Sequence, residues 1–201
     1  EEQTAGRGRL DRHWLSPAGQ NIYCSIILKE LTDKPALLTI LAALAVKETL
    51  QKNNTAAELK WPNDVLAGGR KICGILAEAS SGGLVIGIGV NVNMKKKLLE
   101  DVGRPATSML AETGQLFDRD KILNEILENF FVFYEHVLER GFASLRQIWQ
   151  NELHIIGAKV RVQTIQKEFD GTVLSVDDDG ALIIETARGL EKVLAGDIYV
   201  V

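Results

Sequence analysis

The chain has 201 residues, of which 46% are hydrophobic and 25% charged, with a formal net charge of −4 and a pI of about 5.5. That balance suits a soluble globular protein of one large domain, or one domain with a small companion, and it argues against broad nonspecific nucleic-acid binding, which needs an extended basic face, while leaving room for a local anion site. Two widely spaced cysteines and three isolated histidines supply no zinc-ligand pattern, and the longest apolar run, Ala36 to Val46, is too short to span a bilayer.

In chain order, residues 1–20 read as a polar, glycine-rich loop. Asn21 to Leu28, "NIYCSIIL", reads as a strand. Pro35 sits where a helix accepts a first-turn proline, and the helix should run to about Lys52. Glu58 to Trp61 is a short strand stopped by Pro62, and Asn63-Asp64 with Gly68-Gly69 read as a turn into a second strand, Lys71 to Ala79. After a turn at 80–83, Leu84 to Asn93 forms a third strand, so the three runs suggest an antiparallel meander.

Met94 to Leu110 is polar and reads as a mobile connection. Asp118 is placed as the N-cap of a long amphipathic helix reaching about Leu138, and a second helix is expected over Ala143 to Leu153. From about Ile156 the texture changes to four or five short strands with glycine turns, a small barrel of roughly 45 residues. Both cysteines, Cys24 and Cys73, lie in apolar runs and suit buried free thiols in a reducing compartment. With no secretory leader at the start, a cytoplasmic location is expected. The chain does not begin with Met, so its true N-terminus is expected upstream.

Three stretches carry chemistry. In "LVIGIGVNVN" one strand face holds Leu84, Ile86, Ile88, Val90 and Val92, and the other Val85, Gly87, Gly89, Asn91 and Asn93. Glycine weakens a strand, so two on one face call for a close neighbour: a ligand lying on the sheet, or a tightly packed helix. In "KWPND", Lys60 at a strand end beside a rigid turn is a positioned point charge suited to a carboxylate or phosphate. There Asp64 either caps the turn or meets a hydrated Mg²⁺, and Lys71 is either a second cation or a solvated hairpin lysine. In "EQTAGRGRLDRHW", Gly6 and Gly8 allow backbone N–H groups close to an anion, while Arg7, Arg9 and Arg12 supply charge; a solvated basic loop is the commoner reading of such a run. Neither a P-loop nor a nucleophilic triad is present.

Together, "EEQTAGRGRLDRHW", "SPAGQNIYCSI", "LKWPNDVL", "RKICGILAE", "IGIGVNVN" and "RPATSML", with the terminal barrel, resemble the biotin protein ligase family in order and spacing over essentially the whole chain. The resemblance implies an α+β fold: a mixed, largely antiparallel sheet with helices of the class II synthetase-like biotin/lipoate ligase type over residues 1–153, and an SH3-like β-barrel over 154–201. It implies formation of biotinyl-5′-AMP from biotin and Mg²⁺·ATP, then transfer of biotin to a lysine of a biotin carboxyl carrier domain. By motif, Gln3, Arg7, Gly8, Arg9, Lys60, Gly87 and Gly89 would bind biotin, with Lys60, Arg7 and Arg9 catalytic. Arg9, Arg12, Trp14, Lys71 and Asn91 would bind the nucleotide, and Asp64 would contact Mg²⁺. The family's usual earlier strand and helix, with a Ser/Thr-Asn-type biotin motif, is expected to precede this chain. A homodimer is compatible with the resemblance; a membrane partner is not expected, and DNA binding finds no support in this chain. Two other readings compete: a lipoate ligase, whose Arg-Arg-x-Ser-Gly-Gly-type loop is absent here, and a non-catalytic ligase-like binding module. The acidic excess of Ile156 to Val201 disfavours nucleic acid as that module's partner.

Overall fold

The computed structural model describes residues 1–9, 12–29, 35–80 and 83–201. Among the described residues, ten strands and five helices follow in the order β1 (Ile22–Leu28), α1 (Pro35–Lys52), β2 (Glu58–Lys60), β3 (Asp64–Ala67), β4 (Arg70–Ser80), β5 (Gly83–Val90), α2 (Lys96–Glu100), α3 (Met109–Thr113), α4 (Arg119–Arg140), α5 (Ala143–Glu152), β6 (Lys159–Gln163), β7 (Glu168–Val176), β8 (Leu182–Thr186), β9 (Gly189–Val193) and β10 (Asp197–Val200). The strands form two five-stranded antiparallel sheets, ordered β1-β5-β4-β3-β2 and β10-β6-β7-β8-β9. The fold is thus α+β, with an SH3-like barrel at the C-terminal end.

The first sheet carries its helical layer on one face. Leu84, Ile86, Ile88 and Val90 alternate along β5 and are all buried. Against them lies α1, which is apolar almost all round, as a helix must be when it is covered on both sides. Its outer cover is α4, whose Ile122, Ile126 and Phe130 recur at helical spacing and are buried. The opposite sheet face is left free for the site.

Several expectations need correction. The Asn63-Asp64 stretch does not simply turn: Asp64 opens β3, a four-residue strand pairing with β2 and β4, so the meander has four strands rather than three. Strand β5 ends at Val90, three residues before the expected Asn93: Asn91 still donates its N–H to the Ile72 carbonyl in register, but its own carbonyl accepts from the Met109 N–H rather than from β4. The stretch from Met94 to Leu110, expected as a polar mobile connection, holds regular structure. It carries α2 and the start of α3, the latter capped by Ser108, which accepts a hydrogen bond from the Ala111 N–H. The expected turn at 80–83 falls partly on residues 81–82, outside the described residues. Asp118 does cap α4, accepting from the N–H groups of Asp120 and Lys121 at 2.9 and 3.2 Å.

The barrel docks on the first unit through specific contacts. Trp61 donates its indole N–H to the Gly180 carbonyl at 3.3 Å. Gly180 is in the left-handed region at φ 76° and faces the Ile40 side chain of α1 so closely that a Cβ there would clash. Gln150 of α5 accepts from the Val176 N–H at 3.0 Å, and Arg12 reaches Asp197 on β10. No helix among the described residues is long and apolar enough to cross a membrane.

Candidate functional site

The opening stretch folds back on itself. Gln3 pairs with Ser16 and Arg7 with His13 in isolated bridges, and Trp14 donates its N–H to the Gly6 carbonyl at 2.9 Å. Gly6 is required here, since a Cβ would stand 2.8 Å from Ser16 Oγ and closer still to the Trp14 carbonyl. Gly8 does not offer its N–H to an anion as expected, because that group is donated to the Arg12 carbonyl at 2.7 Å.

This loop, the free face of the first sheet, the turn at 61–64, the segment at 104–106 and the first residues of β10 enclose a cavity of about 820 Å³. That volume suits a drug-sized organic ligand. Every residue that the resemblance assigns to the site lines it: Gln3, Arg7, Gly8, Arg9, Arg12, Trp14, Lys60, Asp64, Lys71, Gly87, Gly89 and Asn91; Gly6 and Asn93 do not. A smaller cavity of about 170 Å³ adjoins it behind Arg9, Trp61 and the N-terminal turn of α1.

The two glycines of β5 have different neighbours. Gly89 pairs across strands with Gly74 of β4, and the Trp14 indole lies on both. An added Cβ would stand 2.7 Å from the indole at Gly89 and 3.1 Å at Gly74. The close neighbour demanded by the strand is therefore an aromatic side chain at Gly89. At Gly87 a Cβ would meet only the Leu76 carbonyl, at 3.6 Å, so the floor there is open. Trp14 Nε1 is buried without a hydrogen-bond partner.

Lys71 sits at the centre of the site. Its Nζ lies 2.6 Å from Asp64 Oδ1 and 5.4 Å from the centroid of the Trp14 ring. Its backbone is clamped by the "RPAT" segment: Lys71 donates its N–H to Pro105 at 3.0 Å and accepts from Thr107 at 2.9 Å. Lys60 is more exposed and stands at the mouth, opposite Asp64 in the β2–β3 register. Asn91 is buried, with its side chain held by Asn21 and by the Thr107 carbonyl. Asn93 is a clamp on Phe117 rather than an edge of the site, exchanging hydrogen bonds of 2.8 and 3.0 Å with its backbone.

The cations are fixed to different degrees. Arg7 is exposed, and its guanidinium lies 3.6 Å from the Glu78 carboxylate. Arg9 donates to Asn63 Oδ1 at 3.0 Å, and Asn63 in turn donates to the Ile75 carbonyl at 2.7 Å. Burial lowers the pKa of Arg9, and the negative charges of Asp197 and Asp64 oppose that. Arg12 forms two hydrogen bonds to Asp197, at 2.5 and 3.5 Å, and the hydrogen bonding raises its pKa. Burial pushes the Asp197 carboxyl upward, but the Arg12 hydrogen bond and the charges of Arg12, Arg9 and Lys60 outweigh it, leaving Asp197 below the ordinary aspartate value.

Reading the sequence missed Asn63 as the anchor of Arg9, and it missed Asp197, Ile198 and Tyr199 as a wall of the cavity. "KWPND" contained a signal for the first. Nothing local could reveal the second, because β10 reaches the site only through barrel docking. Among the described residues, no group of three or more His, Cys, Asp or Glu side chains could hold a metal ion. Asp64 is nevertheless a carboxylate on the cavity wall, and one carboxylate with substrate phosphates suffices for a hydrated Mg²⁺.

Residues 1–94 match the biotin/lipoate A/B protein ligase family, and residues 155–201 match the biotin protein ligase C terminal domain. The bifunctional ligase/repressor BirA of Bacillus subtilis is 35% identical over 98% of this chain and 64% of its own length. The biotin--[acetyl-CoA-carboxylase] ligase of Paracoccus denitrificans is 33% identical over 98% of this chain and 87% of its own length. The Aquifex aeolicus biotin protein ligase solved with biotin and ATP superposes with a TM-score of 0.87 at 30% identity, over 98% of this chain and 85% of that one. The chain spans about two thirds of the length of the ligase/repressors it matches, 64%.

Proposed function

From its membership of the biotin protein ligase family, we propose that this chain carries the site of an ATP-dependent biotin protein ligase. The observation that carries the reading is the cavity itself: an open glycine floor at Gly87, an aromatic wall at Trp14, and six lysine and arginine side chains in its lining. Residues 1–153 would form the catalytic unit and residues 154–201 the barrel.

Biotin's bicyclic ring lies over Gly87, with Gln3 and Gly8 at its edge. The carboxylate meets Lys60, Arg7 and Arg9. The adenine ring takes the Trp14 side of the floor near Asn91, and the phosphates lie toward Arg9, Arg12 and Lys71. A biotin carboxylate oxygen attacks the α-phosphorus, the bond to the β-phosphate oxygen breaks, and pyrophosphate leaves with that electron pair. The chain's task is to let two anions meet: fixed cations screen their repulsion and stabilise charge building on the phosphorus. Asp64 would hold a Mg²⁺ brought in with ATP, whose chemistry there is to neutralise phosphate charge. A carrier lysine amine then attacks the acyl carbon of the mixed anhydride, and AMP departs. The loop at 3–13 and the segment at 95–108 close over the intermediate and exclude water.

The acceptor is a biotin carboxyl carrier domain. The cytoplasmic location is supported by two free thiols, one of them fully buried. A homodimer is compatible with β1, which is paired on one side only among the described strands.

Pyrophosphate release from biotin and ATP tests the reading. Lys60→Ala should slow it by about 10²–10³-fold, since one oriented charge is worth roughly 3–4 kcal/mol in such sites. A rate near that of the unaltered protein sinks the role given to Lys60.

A further inference from the structure

Asp197 is out of place in a site built for anions. It belongs to the first position of β10, in the barrel, yet it lies on the wall of the cavity formed by the loop and the first sheet. Its two carboxylate oxygens are both engaged by the Arg12 guanidinium, at 2.5 and 3.5 Å. The same carboxylate feels the charges of Arg9 and Lys60. Three cations assigned to substrate anions therefore meet this resident acid.

The cost of assembling those cations explains the arrangement. Arg9 is partly desolvated, which disfavours its charge, and Arg12 adds repulsion. A carboxylate between them keeps the rim preformed while the pocket is empty. Yet the pair is weakly held: the Arg12 and Asp197 side chains keep 40% and 23% of their surface exposed, and a pair so solvated contributes at most about 1 kcal/mol. A triphosphate carries several charges to the same cations and outcompetes one carboxylate.

We propose that Asp197 is a built-in counter-anion of the polyphosphate site, holding Arg12 in the empty enzyme and surrendering it to the triphosphate of ATP. Nucleotide binding then unfastens the β10 edge of the barrel from the loop. Asp197 is a positioning residue: it acts through Arg12, and its removal should strengthen phosphate binding, which no purely structural role would do. This inference rests on reading the cavity as a nucleotide site.

Calorimetric titration with inorganic tripolyphosphate, which needs no biotin chemistry, tests it directly. Asp197→Asn should tighten tripolyphosphate binding by up to roughly fivefold relative to the unaltered chain. Asp197→Glu, which keeps the charge, should not. Combined with Arg12→Gln, Asp197→Asn should have a smaller effect, the remainder being its charge on Arg9 and Lys60. Amides 197–200 should lose exchange protection when tripolyphosphate binds. Unchanged or weaker binding by a folded Asp197→Asn protein overturns the proposal, as does failure of the unaltered chain to bind tripolyphosphate. If the unaltered chain binds tripolyphosphate but forms no biotinyl-adenylate, the ligase reading falls while the Asp197 measurement still stands.

Discussion

Gly87 and Gly89 occupy one strand face two residues apart, and nothing in the sequence distinguishes them. Their surroundings do. A methyl at Gly87 would meet only the Leu76 carbonyl at 3.6 Å, an ordinary contact, and would otherwise project into the cavity. Gly87→Ala should therefore melt like the unaltered chain while losing about tenfold or more in biotin affinity, the cost of one misplaced methyl in a packed site. A methyl at Gly89 would collide with the Trp14 indole at 2.7 Å, so Gly89→Ala must move the ring. Its signature should be a shifted tryptophan emission and weaker ATP binding. Calorimetry with each ligand checks both, and unchanged biotin affinity in Gly87→Ala would remove Gly87 from the floor. The residue types of the site were legible because charge clusters beside glycines are local patterns. The use of each residue was not, because it depends on which side chain lies across the sheet: Gly8 spends its N–H on Arg12, and Asn93 spends its amide on Phe117.

At the scale of elements, legibility followed length. The α4 helix was readable because its apolar residues recur over six turns behind an aspartate cap. The same cap makes a clean prediction: Asp118→Ala strands the N–H groups of Asp120 and Lys121 and should cost about 1 kcal/mol, seen as a lower urea midpoint with an unchanged slope. An unchanged midpoint would mean that water satisfies those groups equally well. By contrast β3 has four residues, and α2 and α3 have five each, too few for any period to emerge. These short elements are fixed by partners distant in sequence. β3 is held between β2 and β4, and α3 begins where Met109 donates to Asn91. The "RPAT" segment clamps the Lys71 backbone, so the connection read as mobile is part of what aims this cation.

Across the whole molecule, the joint between the two units has a polar and an apolar part, and they should respond differently to acid. The Trp61–Gly180 hydrogen bond and the packing of Gly180 on Ile40 do not titrate in the acid range. The Arg12–Asp197 pair does. Because the folded protein holds Asp197 below the ordinary aspartate value, its stabilisation is complete above about pH 4 and is lost as the pH falls through the folded pKa. Asp197→Asn lacks that dependence. At neutral pH the unaltered chain should therefore be the more stable of the two, by no more than about 1 kcal/mol given the exposure of the pair. The difference in urea midpoints should shrink toward zero in strong acid and also in high salt, where Debye screening weakens a solvated pair. Tripolyphosphate at neutral pH should shrink it as well, since a displaced carboxylate no longer stabilises the joint. A difference that persists in acid would mean that Asp197 acts by packing rather than by charge. The carboxylate that stabilises the empty molecule would then play no part in its exchange with substrate anions.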